Sequence, residues 1–315
     1  MVSLDRPPNI VIRAYGQYYD VSTPRGILRC VVRGSLKRAR RKTDLVVVGD
    51  RVEVRYVAPG EGVIEAVAPR QQVLSRRARG GEAEQVIVAN PDQLVVVFAV
   101  AQPEPSMPML DRFLVMAEAQ EIPALVCVNK VDLDPAGTMR GLFDPYRRAG
   151  YPVVETSALT GAGLQALWNR LASKLSALAG PSGVGKSSLV KAFRPDLEIR
   201  IGEVSAATGR GRHTTTGTSL IQLDEQTFIA DTPGLSTVEL WGVKADELDR
   251  CFPEFRRYLG ACYYADCRHL AEPGCAVREA VEAGALDDGR YASYCGLLEQ
   301  LLEEERVEGW PRSRR

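Results

Sequence analysis

A glycine-rich stretch in the middle of the chain constrains the fold more than any other feature. It reads GPSGVGKSS, fits the phosphate-loop pattern, follows the apolar run LSALA and opens the helix-like KSSLVKAF. Glycines in such a loop let backbone N–H groups curl around a phosphate at the positive end of a helix dipole. We expect Lys186 to bridge the β- and γ-phosphates and Ser187 to ligate Mg²⁺. The predicted phosphate-binding residues are Gly180, Pro181, Ser182, Gly183, Val184, Gly185, Lys186, Ser187 and Ser188.

An earlier segment, NKVD, predicts which base the nucleotide carries. The carboxylate of Asp132 can accept hydrogen bonds from N1–H and the exocyclic amine of guanine, whereas adenine presents the wrong groups. We expect Lys130 to lie across the base and Asn129 to tie this loop to the phosphate loop. A four-residue match alone would favour a surface turn. However, Ser157 and Ala158 end the next apolar run and are similar to the second guanine contact of GTPases, in which a backbone N–H faces O6.

Two later segments complete the predicted nucleotide site. The sequence DTPG follows the run TFIA, so we expect Asp231 to hold Mg²⁺ through water and the Gly234 N–H to sense the γ-phosphate, as switch II does. Between the phosphate loop and this segment, residues 209–216 read GRGRHTTT and occupy the position of switch I. We expect Thr215, rather than Thr214, to complete the magnesium shell.

The residue that assists hydrolysis is less apparent than those that bind the nucleotide. Many GTPases place a glutamine after the switch II glycine to orient the attacking water. This chain has Leu235 there, and an aliphatic side chain cannot orient water. His213 in switch I is the candidate catalytic residue, as an orienting group or a general base. The alternative is a surface histidine without a catalytic role.

The order of these segments is rotated relative to an ordinary GTPase. The base-reading segments come first, followed by the phosphate loop, switch I and switch II. A doubly wound sheet tolerates such a circular permutation when its original termini lie close together, because only the cut point moves. The nucleotide site is then unchanged in space, but switch II leads directly into whatever follows it, which predicts coupling of the nucleotide state to the C-terminal segment.

The patterning of apolar residues predicts a multidomain protein. Short β-like runs in residues 1–75 indicate a small OB-like β-barrel, and residues 76–91 are interpreted as a linker. Buried runs alternate with helical spacing in residues 92–240, which indicates a mostly parallel α/β domain with ligand loops at the carboxyl ends of its strands. Residues 241–315 are predicted to form a mainly helical, zinc-binding domain.

The predicted barrel carries a cluster of basic residues. A solvated loop is one interpretation, but on a barrel of this size a basic loop favours contact with a phosphate backbone. The candidate RNA-binding residues are Arg33, Lys37, Arg38, Arg40, Arg41 and Lys42.

A second cluster, of cysteine and histidine, lies near the C-terminus. Cys262, Cys267, His269 and Cys275 have the spacing of a closed, tetrahedral structural zinc site. The alternative is a set of unrelated buried cysteines.

Neither an apolar run near 18 residues nor a cleavable leader is seen, so we expect a cytoplasmic protein without a membrane span. Seven cysteines in a cytosolic chain seldom form disulfides, so the tight cluster among them is interpreted as a metal site.

Several features together resemble the RsgA (YjeQ) family of GTPases. They are the rotated motif order, GRGRHTTT, DTPG, FPEF at residues 252–255, the cluster within EPGCAV and the later RYASY. The resemblance covers nearly the whole chain. It implies an OB barrel, a permuted GTPase domain and a zinc domain. It also implies late maturation of the small ribosomal subunit, stimulation of GTP hydrolysis by that subunit, rRNA as partner, and catalysis by His213. We expect a monomer that binds GTP and GDP with Mg²⁺.

Two other functions remain open on sequence grounds. A potassium-activated GTPase of tRNA modification would, by resemblance, carry Asn at the fourth position of its phosphate loop, where this chain has Gly183. A non-hydrolysing RNA-binding zinc scaffold would not need all five nucleotide segments, which are intact here. Turnover measured with and without small subunits separates the three.

Overall fold

The computed structural model describes residues 9–34, 45–77, 84–197, 218–232, 240 and 242–308. An N-terminal barrel is built from five strands with the order β1-β2-β3-β5-β4, in which β3 and β5 are parallel and the other neighbours antiparallel. An antiparallel bridge between Ile10 and Arg51 closes the ring. This arrangement confirms the predicted OB-like barrel. Its strands are β1 Ile10–Tyr15, β2 Tyr18–Thr23, β3 Gly26–Val32, β4 Val52–Ala58 and β5 Glu61–Val67.

Alternation of side chains along the strands fills the interior of this barrel. In β3, for example, Leu28, Cys30 and Val32 are buried while the residues between them are exposed. They pack with apolar side chains of the other strands, which leaves the alternate face of each strand on the outside. The barrel core also includes Val11, Val21, Val46, Val52 and Ile64.

A two-stranded antiparallel hairpin, β6 Val73–Arg77 and β7 Glu84–Ala89, follows the barrel. Leu74 and Val88 are fully buried in the core of the next domain. Gly49 has φ +91°, and a Cβ there would lie 2.1 Å from the Ala89 oxygen, so only glycine permits this close approach of barrel and hairpin. Much of the predicted linker, residues 76–91, is therefore packed sheet rather than an irregular connection.

The central sheet has the order β10-β9-β8-β11-β13-β12, and all neighbours are parallel except β12 and β13. These strands are β8 Gln93–Ala99, β9 Ala124–Asn129, β10 Val153–Glu155, β11 Leu175–Ala179, β12 Ser219–Gln222 and β13 Phe228–Asp231. The associated helices are α1 Met107–Ala119, α2 Asp144–Arg148, α3 Leu164–Leu171 and α4 Lys186–Phe193. This sheet confirms the predicted α/β class.

Strand β8 is buried along its whole length because both faces of the sheet are covered. Its alternate side chains enter two separate apolar clusters. Leu94, Val96 and Phe98 lie in the cluster that contains α1, whereas Val95, Val97 and Ala99 lie in the cluster that contains α3 and α4.

The barrel and the central sheet are continuous. Arg13 of β1 pairs with Ser219 of β12, so eleven strands form a single sheet. The Ser22 hydroxyl donates to the Gln222 side-chain oxygen at 3.3 Å across the same junction.

The C-terminal domain is mainly helical, as predicted. It contains 3₁₀ turns at Leu248–Cys251 and Pro253–Phe255, followed by α5 Ala276–Glu282 and α6 Asp288–Glu308. Phe252, Phe255 and Tyr294 form a mutual aromatic cluster with ring centroids 5.1 to 5.4 Å apart. This packing explains the FPEF segment. None of the helices in the described ranges combines the length and the apolar character needed to cross a bilayer.

Candidate nucleotide and metal sites

The predicted phosphate loop connects the carboxyl end of β11 to α4, which begins at Lys186. Gly180 has φ +130°, and a Cβ there would lie 2.1 Å from the Val97 oxygen. Gly185 has φ +96°, and a Cβ there would lie 2.3 Å from the Asn129 side-chain nitrogen. The Lys186 ammonium donates to the carbonyls of Gly180 and Pro181, both at 2.7 Å, so it curls back over the loop.

Asn129 joins three segments at this edge of the sheet. Its amide nitrogen donates to the Val184 carbonyl at 2.9 Å, which fastens the NKVD loop to the phosphate loop. Its oxygen accepts from the Thr156 hydroxyl and from the Ala158 backbone N–H, each at 3.2 Å. The side chain is buried, so each of these hydrogen bonds is protected from water.

A cavity of about 320 Å³ lies between these loops. Asp132 reaches it from the NKVD loop and accepts a hydrogen bond from the Ser157 hydroxyl. Lys130 adopts left-handed backbone geometry, φ 62°, and Leu159 is 85% exposed beside it. The Lys130 ammonium donates to the Gln102 carbonyl. A carboxylate among aliphatic lining side chains suits a flat heterocycle with hydrogen-bond donors on one edge. The cavity is lined by Asn129, Lys130, Asp132, Leu133, Ala158, Leu159, Gly185 and Ser188.

Lys186 and Asp231 place opposite charges beside the phosphate loop. Burial raises the pKa of the Asp231 carboxyl, although attraction to Lys186 opposes this change. Burial likewise lowers the pKa of the Lys186 ammonium against the opposing attraction of Asp231. Each charge is therefore only partly compensated by the other, which fits a site that also receives a phosphate and a divalent cation. The hydroxyl of Ser187 and the carboxylate of Asp231 are the hard oxygen donors that Mg²⁺ prefers.

Several predicted site residues lie outside the described residues. They are His213, Thr214, Thr215, Gly234 and Leu235 of the two switches, and Lys37, Arg38, Arg40, Arg41 and Lys42 of the basic cluster. Arg33, the remaining member of that cluster, is exposed just after the end of β3.

The four predicted zinc ligands converge in the C-terminal domain, with ligand atoms all within 4.8 Å of one another. His269 Nδ1 lies 3.6 Å from Cys262 Sγ and 3.4 Å from Cys275 Sγ, and those two sulfurs are 4.0 Å apart. Tetrahedral zinc with ordinary bond lengths requires separations of about 3.6 Å for N–S and about 3.8 Å for S–S. The donor set and its spacing therefore fit Zn²⁺.

Local structure explains how these ligands are presented. Cys275 is the N-cap residue of α5, and His269 has φ 59°, which turns the chain sharply at the ligand. The hydroxyls of Tyr291 and Tyr294 donate to the carbonyls of His269 and Arg268 at 2.6 and 2.9 Å. The RYASY segment of α6 thus holds the histidine loop in place.

The protonation of the cluster reflects its surroundings. Burial lowers the pKa of His269, but the side chains of Asp249 and Cys275 more than compensate and raise it to about 9. Burial raises the pKa of the Cys275 thiol, yet the backbone N–H groups at the start of α5, together with His269, lower it overall. The lowered pKa favours the thiolate, the metal-binding form, at Cys275, whereas burial raises the pKa of the Cys267 thiol to about 12.

Sequence reasoning missed the residues that support these ligands. Glu272 accepts hydrogen bonds from the backbone N–H groups of Arg268, Leu270 and Ala271 at 2.8 to 3.0 Å, which folds the loop between two ligands. An i, i+3 spacing of Tyr291 and Tyr294 would have indicated one helix face, but it does not reveal what that face contacts.

The central sheet is mostly parallel, and its NKVD loop precedes its phosphate loop in the chain. A five-stranded barrel comes before this sheet and helices follow it, which defines a circularly permuted GTPase. Residues 67–241 match the family model described as RsgA GTPase, and residues 10–64 match the RsgA N-terminal domain. The chain belongs to the RsgA GTPase family.

Relatives and solved structures agree with this assignment over nearly the full length. A small ribosomal subunit biogenesis GTPase RsgA from Gemmatimonas aurantiaca is 47% identical over 93% of this chain and 97% of the relative. A protein of the same name from Moorella thermoacetica is 43% identical over 94% and 98%. The crystal structure of YjeQ from Thermotoga maritima has a TM-score of 0.78 at 35% identity and covers 93% of this chain and 98% of its own. YloQ, a circularly permuted GTPase, has a TM-score of 0.76 at 30% identity, with 99% and 100% covered.

Proposed function

We propose that this chain is a GTP hydrolase that binds the small ribosomal subunit, acts in its late maturation and is stimulated by it. The observation that carries the nucleotide part is the contact of Asn129 with Val184, which joins a guanine-type loop to a phosphate loop at the rim of one cavity. The relatives, named small ribosomal subunit biogenesis GTPases, support the biological part.

Guanine is read by the cavity between the NKVD loop and the phosphate loop. Asp132 accepts from N1–H and the exocyclic amine, and Lys130 covers one face of the base. The Ala158 N–H, which donates to the Asn129 oxygen at a long 3.2 Å, also faces O6 of the bound base. Ser157 holds the Asp132 carboxylate through its hydroxyl, which supports this orientation. An adenine in the same position would leave the Asp132 carboxylate without donors, so it is rejected.

The phosphates lie in the loop from Gly180 to Ser188, with Lys186 on the β- and γ-phosphates. Ser187, Asp231 and Thr215 would hold Mg²⁺, and the ion would neutralise charge on the phosphate oxygens. Gly234 senses the γ-phosphate. The aliphatic Leu235 cannot orient the attacking water, so His213 is assigned the role of orienting or deprotonating it.

The zinc centre is structural. Cys262, Cys267, His269 and Cys275 supply four soft donors, so no position remains for a reacting water. Zinc there stabilises a loop between short elements and fixes the surface that the domain presents to the subunit.

RNA contact belongs to the barrel. Arg33, Lys37, Arg38, Arg40, Arg41 and Lys42 meet the rRNA backbone as a basic loop. The protein acts as a monomer in the cytoplasm, and binds the subunit more tightly with GTP than with GDP, since only such a difference lets hydrolysis release it.

The decisive experiment measures GTP turnover with and without purified small subunits, and subunit co-sedimentation with GTP analogue or GDP across a salt series. The expected result is acceleration by the subunit and tighter sedimentation with the analogue. Activation by potassium without subunits would indicate a tRNA-modification-type GTPase. Absence of turnover under all conditions would indicate an RNA-binding scaffold.

A further inference from the structure

The imidazole of His269 has two distinct sides. Its Nδ1 faces the sulfurs of Cys262 and Cys275, as a metal ligand must. Its Nε2 points the other way and lies 3.5 Å from the Oδ2 atom of Asp249, in the 3₁₀ turn Leu248–Cys251. The proposed zinc set accounts for the first nitrogen and leaves the second without a role.

Burial makes the second nitrogen significant. The side chain of His269 is 4% exposed and that of Asp249 is 23% exposed. Within the described part of the chain, His269 Nε2 and Asp249 Oδ1 are both buried without a hydrogen bond that meets normal criteria. A buried N–H without an acceptor costs about 1–3 kcal/mol, so a carboxylate beside it favours a direct pair.

We propose that Asp249 is a positioning residue for the metal centre: its carboxylate accepts a hydrogen bond from Nε2–H of His269 and so directs the Nδ1 lone pair at the ion. This inference rests on the proposed zinc site. A ligating histidine whose other nitrogen is held in this way has its tautomer and ring orientation fixed. A carboxylate acceptor also increases the basicity of the nitrogen that binds the metal.

The turn that carries Asp249 is itself held firmly. Leu248 and Cys251 are buried in the apolar cluster that also includes Val115 of α1. α1 follows β8 of the nucleotide-binding sheet. Through the proposed pair, the turn that carries Asp249 connects the metal loop to a helix of the GTPase domain. This turn lies between the end of β13 and the first metal ligand in the chain.

The test compares metal binding by the full chain and three variants. Asp249→Ala removes the acceptor, and Asp249→Asn keeps an acceptor oxygen but loses the charge. Asp246→Ala is the matched control, because this exposed carboxylate lies three residues earlier. Zinc affinity is measured by competition with a chromophoric chelator, and ligand geometry by the visible absorption of the cobalt-substituted proteins.

Asp249→Ala is expected to bind zinc about 10–100-fold more weakly and to alter the cobalt spectrum. Asp249→Asn is expected to lie closer to the native chain, and Asp246→Ala to match it. Native affinity in Asp249→Ala, or equal weakening in Asp249→Ala and Asp246→Ala, would overturn the role of Asp249 while leaving the zinc site intact. A native chain that binds no zinc would instead overturn the zinc site and this inference together.

Discussion

Arg290 of α6 and Asp111 of α1 form a buried ion pair, with 2.6 Å between Nη1 and Oδ1, that joins the C-terminal domain to the GTPase domain. The same guanidinium donates to Glu254 at 2.7 and 3.1 Å. Its carbon lies 4.6 Å from the Phe252 ring and 5.2 Å from the Tyr146 ring. The two side chains of the pair are 3% and 1% exposed. Moving this buried guanidinium away would leave the Asp111 and Glu254 carboxylates buried without a partner, so the pair favours one arrangement of the two domains.

Replacing this arginine tests how strongly the domains depend on each other. Arg290→Met keeps much of the side-chain volume but leaves the Asp111 and Glu254 carboxylates without their partner. We expect the free energy of unfolding to fall by about 3–5 kcal/mol, as for other broken buried pairs. Urea unfolding of the full chain measures it.

A matched variant distinguishes loss of a buried charge from loss of any arginine. Arg306→Met removes an exposed ion pair, in which the side chain of Arg306 is 76% exposed and that of Glu303 is 57% exposed. Exposed pairs contribute about 0–1 kcal/mol, so this variant should unfold almost as the native chain does. Equal losses in the two variants would show that the Arg290 pair contributes no more than a surface contact.

The GTPase domain could be predicted from sequence because its signals are local. A continuous apolar run such as the one in β8 indicates a strand covered on both faces, and the loops that bind nucleotide follow strand ends directly. Cys262, Cys267, His269 and Cys275 are also close in sequence, so their spacing alone indicates a shared site.

Contacts between distant segments could not be predicted in the same way. Arg290 and Asp111 are each typical surface residues, and 179 positions separate them, so neither reveals the other. Arg13 and Ser219 are even further apart in sequence, and their pairing depends on how the barrel is placed rather than on strand propensity. The sequence predicts a linker over residues 76–91, whereas Arg76 and Arg77 of β6 pair with Gln85 and Glu84 of β7.

Asn129 is expected to support both stability and nucleotide binding. Asn129→Ala leaves the Val184 carbonyl and the Ala158 N–H without their partner, which costs about 1–3 kcal/mol of unfolding free energy. Guanine nucleotide affinity should fall about tenfold or more, because the two loops separate. Fluorescence titration with a labelled nucleotide measures the affinity. Asn169→Ala on the exposed face of α3 is the control and should change neither quantity; unchanged affinity in Asn129→Ala would contradict the anchoring role.

Asp132 is expected to determine base specificity. In Asp132→Asn the side chain presents an amide donor in place of one carboxylate oxygen, so it suits the additional carbonyl of xanthine. GTP should bind about 10–100-fold more weakly, since hydrogen bonds to a charged group contribute about 1.5–3 kcal/mol, and xanthosine triphosphate should bind more tightly. Competition titration gives both affinities. Asp288→Asn, at an exposed position of α6, should retain native preference, and retained GTP preference in Asp132→Asn would refute base reading by this carboxylate.

His213 is expected to affect turnover and not binding. In His213→Ala, subunit-stimulated GTP hydrolysis should fall by about 10²–10⁴-fold, the range attributed to a positioned acid–base group. Single-turnover measurements with excess subunits isolate the hydrolytic step. Co-sedimentation with subunits in the presence of a GTP analogue should be unchanged, which shows that the variant still docks. Native turnover in this variant would remove His213 from the mechanism.

Asp231 should make nucleotide binding sensitive to mild acid when magnesium is required. Burial raises the pKa of this carboxyl above the ordinary value of about 3.9, with Lys186 opposing the change. Only the ionised carboxylate supports Mg²⁺, and its ionised fraction falls as the pH drops through the raised pKa. The magnesium-dependent gain in GTP affinity should therefore decline at a higher pH than it would with an exposed aspartate. Titrations with magnesium and with chelator, carried from neutral pH towards pH values of about 4, isolate that gain. A gain that stays constant until the ordinary aspartate range would show that Asp231 does not support the cation.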